Sequence, residues 1–158
     1  MTPPVASAAL SAIPAFVALE PLLATAGQPD EAQLAAVAAA GFEVVINLGL
    51  HADPNYSLAD EAATVAGLGM RYVHIPVPFA TPTREQLDRF GEAMQAAAGR
   101  KVLVHCRHNK RVPVFVALDR VLRRGWAARD ALAAMREVWQ PDGTWDAFIT
   151  ATLGVPPR

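Results

Sequence analysis

Residues 101–115 read KVLVHCRHNKRVPVF. The first five are apolar and β-branched enough for a short buried strand, and VPVFVALDRVLRR (112–124) reads as a helix. Pro113 is tolerated in that helix's first turn, and the arginines near its C-terminus complement the dipole. Between strand and helix stands HCRHNKR, which contains the only cysteine of the chain. A helix start presents unpaired N–H groups and partial positive charge, and a tight loop there can wrap its amides round an oxyanion. Arg111 can add a bidentate fork to such an anion. The same field favours the thiolate of Cys106, the nucleophilic form of the side chain. Arg107, His108, Asn109 and Lys110 complete a candidate anion-binding loop. The loop has no glycine, and Asn109 is its residue best able to take a left-handed conformation. His105 either orients the loop and tunes the thiolate or sits as a satisfied core histidine.

Outward from this stretch the patterns alternate. AFVALEPLLAT (15–25) reads as one or two short strands around Pro21. Asp30 with Gln33 predicts a capping box and a helix to about Ala39, ended by Gly41. FEVVINL (42–48) is a buried strand, followed by the loop GLHADPNY. Ser57 with Asp60 predicts the next helix start, with Asp60 and Glu61 in its first turn and its end at Gly67 or Gly69. MRYVHIPV (70–77) is a further strand ending near Pro76. Thr81 as N-cap with Pro82 predicts a helix whose Leu87, Phe90, Gly91 and Met94 share a face. Residues 128–139 and 144–153 are the last two helices, and Trp126, Trp139 and Trp145 read as packing anchors. This order predicts an α/β fold, with a central, mostly parallel sheet of four to five strands and helices on both faces. In such sheets ligands sit beyond the C-terminal strand ends, where Cys106 lies.

The 158 residues favour a single domain over 1–158, with 1–14 as a loose or structured lead-in. Apolar residues make up 53% of the composition, so the chain can bury a core. Net charge is −1 and the pI is near 6.4, so no global field favours nucleic acid. One cysteine excludes an internal disulfide and suits a reducing, cytoplasmic setting. The N-terminal apolar run lacks basic residues near Met1 and is interrupted by Pro14, Glu20 and Pro21, which argues against an export signal, although ASA and ATA resemble cleavage sites. No uncharged stretch reaches membrane-spanning length. His105, Cys106 and His108 lack a second Cys/His pair with ligand spacing, so neither metal nor other cofactor is expected.

HCRHNKR resembles the active-site loop of the cysteine-dependent protein tyrosine and dual-specificity phosphatases. It has four residues between Cys106 and Arg111 where that loop has five. The shorter spacing is similar to a bacterial phosphatase-like family. GQP (27–29), VINL (45–48), ADE (59–61), GMRYVHIPV (69–77), VLVHC (102–106) and the Trp-rich C-terminal helices carry that resemblance over nearly the whole chain. It implies a phosphatase-like domain in which Cys106 attacks phosphorus, Arg111 and the loop amides hold the oxygens, and His105 supports the loop. The implied partner is a phosphorylated small molecule or a phosphoprotein. Two positions depart from the pattern. PVPFATPTREQ holds no aspartate where the leaving-group acid is expected, and Val112 and Pro113 follow Arg111 in place of a hydroxyl residue. Asp53, at another strand end, is a candidate displaced acid, though a plain Asp-Pro turn also accounts for it. General-acid help is worth about 10²–10⁴-fold, so slow turnover is expected. The alternatives are an anion-binding domain without turnover and a rhodanese-type sulfurtransferase carrying a persulfide on Cys106.

Overall fold

The computed structural model describes residues 4–51 and 57–154. Its centre is built from four-residue strands: β1 (Val17–Glu20), β2 (Leu23–Ala26), β3 (Val44–Asn47), β4 (Arg71–His74) and β5 (Val102–His105). They form one sheet in the order β1-β2-β5-β3-β4. β2, β5, β3 and β4 run parallel, and β1 folds back antiparallel on β2. The expected mostly parallel sheet is therefore present. β5 lies in the middle, and its last residue, His105, is in register with Ala26 of β2 and Asn47 of β3. The residue after it enters the crevice between neighbouring strand ends.

Helices α1 (Pro4–Ser11), α2 (Glu31–Ala39) and α3 (Glu61–Gly67) cover one face; α4 (Arg84–Ala96), α5 (Arg111–Arg123), α6 (Ala128–Val138) and α7 (Gly143–Leu153) cover the other. The pleat sorts the strand residues between the two layers. Val44, Ile46, Val102 and Val104 pack with Phe90, Phe115, Leu118 and Trp145, whereas Val45 and Leu103 pack with Leu34, Val37 and Val65. α5 is buried along Arg111 to Arg120, so it is the pillar of the larger layer. Truncating Phe115 to alanine there would cost about 3–5 kcal/mol.

The predicted capping box forms. Asp30 accepts from the Gln33 N–H at 2.7 Å and Gln33 accepts from the Asp30 N–H at 2.9 Å. Two other helix starts differ from expectation. Asp60 alone caps α3, accepting from the Ala63 N–H at 3.0 Å, while the Ser57 hydroxyl donates to the His51 carbonyl instead. α4 is capped by Thr83 with Gln86, not by Thr81. Thr83 and Gln86 satisfy each other's backbone N–H groups reciprocally, whereas the Thr81 N–H is used in a turn to Pro78. The lead-in holds helix α1, and Leu10 and Ile13 pack into the smaller core. No helix among the described residues is long and apolar enough to cross a membrane.

Candidate active site

β5 delivers Cys106 as the first residue beyond its end, with the Cys106 N–H donating to the Ala26 carbonyl at 3.3 Å. The chain then turns through residues 106–110 into α5. Asn109 makes the turn possible, with φ 58°, the left-handed conformation expected of it. Its amide is not available to a ligand. It points into the domain and donates to the Ala15 carbonyl at 3.0 Å and to Thr25 Oγ1 at 3.1 Å. The underside of the loop is pinned to the turn after β2. The Gln28 N–H donates to the Arg107 carbonyl at 3.2 Å, and a Cβ on Gly27 would sit 2.8 Å from that same oxygen. Only glycine lets the two turns approach this closely.

Phe79, Cys106, Arg107, His108, Lys110 and Arg111 line a depression of about 330 Å³. The predicted nucleophile, arginine and outer cations thus converge, while His105 and Asn109 stand outside the depression. Arg111 is 8% exposed, and its Nε and Nη1 have no hydrogen-bond partner among the described residues. Burial pushes its pKa down and Arg107 adds to that, while negative charge on Cys106 opposes it. Its guanidinium lies 5.7 Å from the centre of the Phe79 ring. Phe79 is the exposed aromatic at the mouth, held by its carbonyl, which accepts the Trp145 indole N–H at 2.8 Å. Trp145 is a core anchor as expected, Trp126 and Trp139 pack against the same core, and Trp139 also borders the site, with Lys110 Nζ 5.8 Å from its ring. Burial, then Arg107, Lys110 and Arg111, push the His108 pKa down. Among the described residues no side chain caps the start of α5, so its first-turn N–H groups are left for the loop or its ligand.

His105 is buried behind the loop and bonds Glu61 Oε2 through Nε2 at 2.6 Å. The other Glu61 oxygen accepts from Gln28 Nε2 at 2.9 Å. Burial alone would push the Glu61 carboxyl up, but the hydrogen bonds and charge of His105, with Gln28, bring it below its ordinary value. Glu61 stands in the first turn of α3, as the sequence predicts. It is also a buried carboxylate in the support of the loop, a role that sequence reasoning missed. A second support comes from β3 and β4. Asn47 Oδ1 accepts the Gly49 N–H at 2.7 Å, and the Gly49 carbonyl lies 2.7 Å from His74 Nε2. A Cβ on Gly49 would meet Arg111 Nη1 and Cys106 Cα, both at 3.7 Å, so this turn forms a wall beside Cys106 and Arg111. His51 stacks on His74 at 4.0 Å and bonds the Tyr72 hydroxyl at 3.0 Å. Burial lowers the His74 pKa, with the Gly49 carbonyl opposing. Asp53 lies outside the described residues, and no carboxylate among the described residues lines the depression. Asp88 is on an exposed helix face, paired with Arg84 at 3.0 Å.

A cysteine and a buried arginine set over one depression, at the central strand end of a doubly covered parallel sheet, define the phosphatase-like class with tyrosine-phosphatase architecture. The family model "Beta-lactamase hydrolase-like protein, phosphatase-like domain" matches residues 15–123, and the chain belongs to that family. Among solved structures, the DUF442 protein of Shewanella putrefaciens CN-32 is 32% identical, with a TM-score of 0.82 over 93% of this chain and 96% of that one. Tk-PTP is 25% identical, with a TM-score of 0.72 over 89% of this chain and 95% of that one. TpbA of P. aeruginosa shares the fold at 20% identity, with a TM-score of 0.67 over 89% and 84%. A cysteine-to-serine form of TpbA has been solved in complex with phosphotyrosine. No curated protein matches the chain.

Proposed function

We propose that this domain hydrolyses phosphomonoesters through a cysteinyl-phosphate on Cys106. The observation that carries the reading is the buried Arg111 guanidinium, with Nε and Nη1 unpartnered among the described residues, in the depression that Cys106 also lines. A buried donor without an acceptor is costly, and a phosphoryl dianion supplies acceptors in the fork geometry arginine fits. The Cys106 thiolate attacks phosphorus, the P–O bond to the leaving group breaks, and the departing oxygen takes its proton from water. A second water then attacks phosphorus, the P–S bond breaks, and inorganic phosphate and the thiolate return. Arg111 and the uncapped N–H groups of α5 hold the equatorial oxygens, with Arg107, His108 and Lys110 attracting the dianion. The binding of phosphotyrosine by the TpbA variant is consistent with a phosphorylated substrate.

The test is hydrolysis of p-nitrophenyl phosphate under reducing conditions. Activity should vanish in Cys106→Ser and fall by about 10²–10³-fold in Arg111→Lys, the scale of a lost oxyanion donor. Hydrolysis that survives Cys106→Ser would refute the mechanism. A second reading is supported by the missing aspartate in PVPFATPTREQ and by Val112 and Pro113 after Arg111: the site binds phosphate without turning it over. Calorimetry with inorganic phosphate separates the two. Binding lost in Arg111→Ala, without hydrolysis in wild type, selects the binder.

A further inference from the structure

A second cavity, of about 320 Å³, lies near the N-terminal ends of β2 and β5, between the later turns of α4 and α5 and the β1–β2 turn. Asp119, which borders it, follows Arg111 by eight residues on α5, about 12 Å along the axis at 1.5 Å per residue. The cavity is therefore distinct from the depression over Cys106. Leu23, Met94, Ala97 and Val102 supply an apolar wall. Asp119 is 4% exposed, and its Oδ1 has no hydrogen-bond partner among the described residues. Burial pushes its carboxyl up, with Arg123 and Arg124 pulling the other way.

The surrounding cations are unequally occupied. Arg124 donates to both Glu20 oxygens at 3.1 and 3.0 Å, Arg120 donates to the same carboxylate at 2.6 Å, and Arg100 pairs with Glu43 at 3.3 Å. Among the described residues, Arg123 bonds only the neutral amide oxygen of Gln95, at 3.4 Å. Its guanidinium lies against α4 at Gly91, where any Cβ would collide with it. One carboxyl and one guanidinium thus border the same cavity, and among the described residues neither has an opposite charge in salt-bridge contact.

We propose that this cavity binds a small zwitterion of amino-acid type, its ammonium on Asp119, its carboxylate on Arg123 and its apolar side chain against Leu23, Met94 and Val102. The volume is at the small end of about 300–1,000 Å³ for small-molecule sites, which suits one compact ligand. An apolar wall selects an aliphatic side chain, and the two charges demand that both ligand termini be free. A cation alone is disfavoured by the flanking arginines, and an anion alone leaves Asp119 unsatisfied.

The experiment titrates the full chain with L-leucine, N-acetyl-L-leucine and L-leucinamide by calorimetry and saturation-transfer NMR. Leucine should bind, and each capped analogue should bind about tenfold or more weakly, the scale of a lost hydrogen bond to a charged group. Asp119→Asn, which keeps the size of the side chain, should lose leucine affinity by a similar factor and no longer distinguish leucine from its N-acetyl form. Arg123→Gln, on an exposed side chain, should do the same for leucinamide, and it keeps the test decisive if Asp119→Asn fails to fold. No leucine signal at about 10 mM, equal binding of the three compounds, or wild-type leucine affinity in both variants would overturn the proposal. Phosphate hydrolysis is a separate readout.

Discussion

Replacing Glu61 with alanine tests whether the chain of hydrogen bonds from Gln28 through Glu61 to His105 holds the loop over residues 106–110. Glu61 is 1% exposed and His105 0%, so water cannot take over the lost contacts without rearrangement. The substitution strands a buried donor on His105, while half-buried Gln28 keeps its bond to the Pro29 carbonyl at 2.9 Å. One unsatisfied buried donor costs about 1–3 kcal/mol, and breaking a buried pair by removing one partner costs about 3–5 kcal/mol. With a urea slope of about 2 kcal/mol per molar, the midpoint should drop by about 2 M. Glu61→Gln keeps the size and an acceptor for His105 and should cost less, about 1–2 kcal/mol. The pH dependence has a fixed sign. The folded-state pKa of Glu61 is lowered, so its contribution is full above the ordinary glutamate value and is lost as pH falls through the folded value. The stability gap between wild type and Glu61→Gln should therefore be widest near neutrality and close toward acid. Urea unfolding followed by circular dichroism at stepped pH measures both quantities. A Glu61→Ala midpoint within about 0.5 M of wild type, or a gap that widens toward acid, would refute the reasoning.

Asn109→Gly keeps the left-handed turn but loses two hydrogen bonds, for about 1–3 kcal/mol; Asn109→Ala adds the steric cost of φ 58° and should be worse by about 1 kcal/mol, read as a lower melting temperature. Gly27→Ala forces a Cβ against the Arg107 carbonyl and should cost about 1–3 kcal/mol while weakening phosphate binding by calorimetry. With no carboxylate among the described residues lining the depression, turnover should fall steeply as leaving-group basicity rises; equal rates on p-nitrophenyl and phenyl phosphate would show that an acid is supplied. Trp145→Phe releases the Phe79 carbonyl and should raise KM for aryl phosphate more than it lowers kcat, with a structural cost visible in unfolding. Thiosulfate should leave no persulfide on Cys106 by mass spectrometry, and an adduct there would favour the sulfurtransferase reading.

The fold was legible because local and global signals agreed. VVIN and VLVH are too short and too β-branched for helices, and both sit buried in the middle of the sheet. The Asp30–Gln33 box was readable because both partners of the reciprocal bond are written three residues apart. The starts at Ser57 and Thr81 were misread for the opposite reason. Several polar residues compete at each position: at α4 the winner is the one whose spacing satisfies both partners, Thr83 with Gln86, whereas at α3 Asp60 caps alone. The packing of α1 depends on Leu10 and Ile13 meeting Leu34 and Val37, a contact between segments that no local pattern announces.

The site shows a sharper division. Cys106 and Arg111 were legible because one loop carries both, and Asn109 because no glycine competed with it for the left-handed position. The support for that loop comes from other elements. Yet one part of it follows from pleat parity alone. Alternate residues of a strand face opposite layers, so His105 shares a face with Leu103, and Leu103 packs against α2 and α3. An imidazole sealed in that layer needs a partner, and the helix that covers it begins with Glu61. The short strings that carry the family resemblance acquire a physical reason in the same way. GQP provides the close approach at Gly27 and the Gln28 donor, ADE provides the carboxylate, VINL provides the Asn47 that shapes the Gly49 turn, and the His74 of GMRYVHIPV braces the Gly49 carbonyl. They lie far apart in the chain and meet at one loop, so the resemblance marks the support of the cysteine as much as the cysteine itself.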